Sequence, residues 1–103
     1  MNPEDIDNLA KIRLPQLLKS STEISIKNLS DIVSSEVLVI ESHTIIPHKL
    51  LRRFIQGRLI DFFNNPNNIP SGISYNKENG IFKYIIKWQD TMKILVRILS
   101  KRL

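Results

Sequence analysis

The chain has 103 residues and a formal net charge of +5, with 42% hydrophobic and 24% charged residues, the make-up of a folded globular protein rather than a disordered tail. It contains no cysteine, which excludes disulfide scaffolds, cysteine-ligated zinc, iron–sulfur clusters and thiol nucleophiles. No apolar run approaches the ~20 residues that span a bilayer, and the acidic Met1-Asn2-Pro3-Glu4-Asp5 start is neither a signal nor an Arg-rich transit peptide, so the expectation is an intracellular protein (cytoplasm or nucleus) without membrane attachment.

In chain order, Asn2 is suited to cap a helix, Pro3 to its first position, and Glu4 and Asp5 to its dipole. Ile6, Leu9, Ala10 and Leu14 continue the helical period, and Pro15 predicts a break or kink before a last turn over Gln16–Lys19. Ser20-Ser21-Thr22 reads as a loop. Ile26, Leu29, Ile32 and Val33 place a short amphipathic helix within Ser25–Ser35. The β-branched stretch Glu36–Ile46 predicts a strand or extended segment. Pro47 opens the longest helix, about His48 to Asn64, with an apolar stripe of Leu51, Phe54, Ile55, Leu59, Phe62 and Phe63 opposite Lys49, Arg53 and Gln56. Ile73–Tyr75 and Ile81–Trp88, joined through Asn79-Gly80, predict a β-hairpin. Asp90 is suited to cap a final helix to the C-terminus.

Charge divides unevenly along this order. Residues 1–46 hold four basic and seven acidic side chains, whereas residues 47–103 hold eleven basic and three acidic. The expectation is one domain over residues 1–103, an acidic helical half (1–46) joined to a basic helix-hairpin-helix half (47–103). Such asymmetry either presents a positive face to phosphates or an acidic partner, or simply lets the halves attract each other. In the last helix, Met92, Leu95, Val96, Leu99 and Leu103 form an apolar arc, and Lys93, Arg97 and Lys101 recur at i, i+4 and i+8. Like charges at that spacing repel, so a helix optimised for stability alone would interleave Glu. The hairpin adds Lys77, Lys83 and Lys87, and the long helix adds Lys49, Arg52, Arg53 and Arg58. Tyr75, Tyr84 and Trp88 have faces that stack on bases, although strand aromatics sharing one face usually belong to a core.

The run Ile73-Ser74-Tyr75-Asn76-Lys77-Glu78-Asn79-Gly80-Ile81-Phe82-Lys83 resembles the first hairpin of ETS-type and interferon-regulatory-factor-type winged helix-turn-helix DNA-binding domains. Leu95-x-Arg97-x-Leu99 is similar to the Leu-x-Arg-x-Leu of an ETS recognition helix. The resemblance covers residues 50–99. It implies that the Leu51–Phe63 helix stands where the family's first helix stands and that Arg97 takes the place of a base-reading arginine. The family's second arginine position falls on Ser100, and one helix is missing between Lys83 and Met92.

Catalytic chemistry has no organised motif here. Gly57, Gly72 and Gly80 are too scattered for a phosphate loop, and Ser, His and Asp residues show no triad-like arrangement. His43, His48 and Glu41 lie near one another in sequence, but a strand end and a helix start are poor places for a shared metal. Asn28-Leu29-Ser30 matches a glycosylation sequon only formally. The expectation is therefore an α+β fold, a small, mostly helical single domain with one β-hairpin, winged-helix-like, with no enzymatic activity, no cofactor and no metal. Its expected role is a nucleic-acid-binding accessory or regulatory protein, DNA before RNA, acting through Lys77, Lys83, Lys87, Lys93, Arg97, Lys101 and Arg53. The alternative is a protein–protein interaction subunit or adaptor that buries surplus apolar helix surface in a homodimer or larger complex.

Overall fold

The computed structural model describes residues 2–41 and 47–85. Three helices, α1 (Pro3–Ser20), α2 (Ile26–Ile40) and α3 (His48–Phe63), pack against a sheet of β1 (Glu23–Ser25), β2 (Ile73–Asn76) and β3 (Ile81–Tyr84). The strands lie in the order β1-β3-β2, antiparallel throughout. This is a small α+β fold. A 3-10 turn at Pro66–Asn68, capped by the Asn65 side chain, carries the chain from α3 toward β2.

α1 starts where the capping signals place it, the Asp5 carboxylate accepting from the Asn2 N–H at 3.0 Å. Pro15 does not break the helix, which runs on to Ser20. The proline denies only the Lys11 carbonyl its usual donor, and Lys11 is exposed, so water can supply the lost bond. Ser25 ends β1 and caps α2, its hydroxyl accepting from the Asn28 N–H at 3.1 Å.

The stretch predicted as extended behaves differently. Residues 36–40 are the last turns of α2, while residues 42–46 lie outside those described. Val37 follows Leu29 and Val33 on the buried face, and Glu36 pairs with Arg13 of α1. Packing on one helical face outweighs the weak strand preference of valine and isoleucine. On the same face, Ser30 and Ser34 are fully buried, each hydroxyl donating at 2.6 Å to the carbonyl four residues earlier.

α3 buries Leu51, Ile55, Leu59 and Phe63, a strict i+4 ladder. Phe54, counted in the same stripe by period, is 58% exposed. The ladder ends at the sheet, where Phe63 meets Phe82 edge to face at 5.0 Å and Tyr75 stacks on Phe82 at 4.4 Å. The hairpin is joined by β1 as a third strand, with Ile24 opposite Phe82. A three-residue strand carries too little pattern to be seen in sequence.

Candidate nucleic-acid interface

Three of the seven residues expected to meet nucleic acid fall within the described structure. Arg53 is exposed on α3, Lys77 is exposed in the β2–β3 turn, and Lys83 is exposed on β3. Lys87, Lys93, Arg97 and Lys101 lie outside the described residues.

The turn that presents Lys77 is built by its neighbours. The Asn76 side chain accepts from the Glu78 N–H, the Asn79 side chain from the Ile81 N–H, and the Gly80 N–H donates to the Asn76 carbonyl at 2.7 Å. Gly80 closes the turn at φ 68°, a conformation cheap only for glycine. Lys77 is therefore exposed on a turn held by three hydrogen bonds. Lys83 faces Glu23 in the β1–β3 register, and its ammonium stands 3.4 Å from the Glu23 carboxylate. Part of its charge is thus already answered, through a weak exposed pair.

Other cations of the basic half are engaged more firmly by acids of the first half. Arg58 forks onto Asp7, Nε at 3.0 Å and Nη2 at 2.7 Å, while Nε also donates to the Pro3 carbonyl. Arg52 Nε stands 3.4 Å from Asp31 Oδ1. Opposite charges of the two halves thus attract each other within one fold, and Arg52, Arg58 and, in part, Lys83 are taken up by acids of the first half. Residues 2–41 and 47–85 together hold ten basic and nine acidic side chains, so most of the net +5 resides in residues 86–103.

Among the described residues, Lys49, Arg53 and Lys77 form no ion pair. They do not share one spot. Arg53 sits ten residues before Phe63, about 15 Å along the helix from the end that packs on the sheet. The strand aromatics are partly committed elsewhere. Tyr75 packs on Phe63 and Phe82, and burial pushes its hydroxyl above the usual pKa. The Tyr84 hydroxyl donates to the Pro15 carbonyl at 2.9 Å. No protein family, curated protein or solved structure matches this chain.

Sequence reasoning missed two features near the α1–α3 junction. One is the Asp7–Arg58 fork, invisible because its partners stand 51 residues apart. The other is a shallow depression of about 640 Å³ bordered by Arg53, Phe54, Gly57, Arg58 and Asp61. The exposed Gly57 inside a helical pattern was its one sequence signal. Among the described residues no group of three or more His, Asp or Glu side chains is placed to hold a metal, and no helix is long and apolar enough to cross a membrane.

Proposed function

We propose that this chain is a non-enzymatic nucleic-acid-binding protein, DNA being its first target. The partition of charge carries this reading. The described residues are close to neutral, and residues 86–103 hold five basic side chains against Asp90 alone. A segment so charged, continuing directly from the hairpin strand, neutralises phosphates and gains affinity from counterion release. Lys77 at the hairpin tip would lie on the backbone as a wing, with Lys49 and Arg53 adding charge from the edge of α3. On the outward side of α3, Leu50, Phe54, Gly57 and Ile60 around Arg53 offer no base-edge donors, so Arg53 is the donor that side brings to a groove.

Anisotropy of a labelled duplex tests the reading. Neutralising about four phosphates predicts that affinity falls ~100-fold between 50 and 200 mM salt. Arg97→Ala should lower the salt slope by about one unit, whereas Lys11→Ala, which removes the same charge from α1, should leave it unchanged. Absence of binding at low salt, or equal losses from both variants, would overturn it.

The second reading, an interaction subunit without a nucleic-acid role, is favoured by the 58% exposure of both Leu50 and Phe54. A particle larger than a monomer in high salt, with no affinity for nucleic acid, is its signature.

A further inference from the structure

The outward side of α3 carries a second pattern that the nucleic-acid reading leaves unused. Leu50, Phe54, Gly57 and Asp61 follow one another at spacings of four, three and four residues, the seam spacing of paired helices. Leu50 and Phe54 are each 58% exposed. Between Phe54 and Asp61 the seam is notched. A Cβ placed on Gly57 would meet nothing within 4 Å, and its backbone needs no positive φ. Glycine inside a helix is less favourable than alanine, and neither local backbone nor internal packing asks for one here. A close approach from outside does.

We propose that this face binds a second copy of the chain, the two α3 helices pairing antiparallel about a twofold axis. With the axis between positions 54 and 57, each Phe54 seats over the Gly57 of the other copy, a knob in a hole of matching size. The same axis sets each Asp61 opposite Leu50 of the other copy, flanked by that copy's Lys49 and Arg53. Lys49, Arg53 and Asp61 have no ion-pair partner among the described residues. The bases lie toward the start of the helix and the acid toward its end, so antiparallel pairing matches opposite charges and parallel pairing stacks like on like. A twofold contact is self-complementary by construction. The pairing leaves the hairpin tip uncovered and engages Lys49 and Arg53, so those two side chains add charge toward nucleic acid only in the monomer.

The 103-residue chain, free of native cysteine, allows a direct test. Light scattering in high salt should give about twice the 12.0 kDa of the chain. Phe54→Ala should weaken the dimer at least tenfold. Gly57→Leu should do the same while raising the melting temperature of the monomer, because the side chain enters open space on a helix; a purely structural glycine would not split that way. Under mild oxidation, Leu50→Cys mixed with Asp61→Cys should cross-link, and Leu50→Cys alone should not. A monomeric wild type at all accessible concentrations, or self-cross-linking of Leu50→Cys, overturns the proposal.

Discussion

Gly80 meets two demands at one position. Its φ of 68° disfavours any side chain, and a Cβ there would stand 2.8 Å from Ile26 Cγ2. The close approach exists because the Gly80 carbonyl accepts from the Ile26 N–H at 2.7 Å, tying the hairpin turn to the start of α2. Gly72 also has positive φ, 83°, but open space around it. The pair separates the conformational cost from the steric one. Gly72→Ala should cost about 1 kcal/mol and Gly80→Ala about 2 kcal/mol or more. Urea unfolding with an unchanged m-value would read the difference, and equal losses would mean that Ile26 yields freely.

At the scale of elements, α1 and α3 are held by a polar fork as well as by apolar contact. The Asp7 side chain is 12% exposed and the Arg58 side chain 30%, so the pair is mostly withdrawn from water. Removing the arginine leaves a carboxylate that has lost its bidentate partner. Arg58→Ala should therefore lower stability by about 2–3 kcal/mol, below the full cost of breaking a deeply buried pair because solvent still reaches the site. The double variant with Asp7→Asn should recover part of the loss, measured by thermal unfolding; strict additivity would show that the fork carries no coupling. The same pair withholds Arg58 from any phosphate, so its loss should change stability more than affinity for nucleic acid.

Over the whole molecule, the acidic and basic halves are interleaved rather than stacked as separate units. β1 comes from the first half and pairs with β3 of the second, and Phe82 of β3 is fully buried in the core shared with α1, α2 and α3. A chain ending at Asn68 keeps α1, α2 and α3 but loses Ile73 and Phe82 from the core and both β2 and β3 from the sheet. Such a chain should retain helical circular dichroism yet lose its cooperative thermal transition. A sharp transition in that fragment would show that the helices form a self-sufficient bundle.

Local chemistry set much of this protein from sequence alone. The Asn2–Pro3 start of α1, the α3 span from His48, and the Asn76–Gly80 turn all follow from capping, periodicity and side-chain acceptors acting within a few residues. The strong bias of positive charge toward the C-terminal end was equally plain, since counting charges needs no fold. The remainder depended on partners distant in sequence. Residues 36–40 are helical because Val37 fits the core beside Leu29 and Val33, and β1 is a strand because β3 lies alongside it. Which cations are free was also a tertiary decision. Arg52, Arg58 and Lys83 meet Asp31, Asp7 and Glu23 across 21, 51 and 60 residues, while Arg53, next to Arg52 in the chain, points outward. Adjacent helical residues stand about 100° apart, so one arginine reaches an acid on α2 and its neighbour does not.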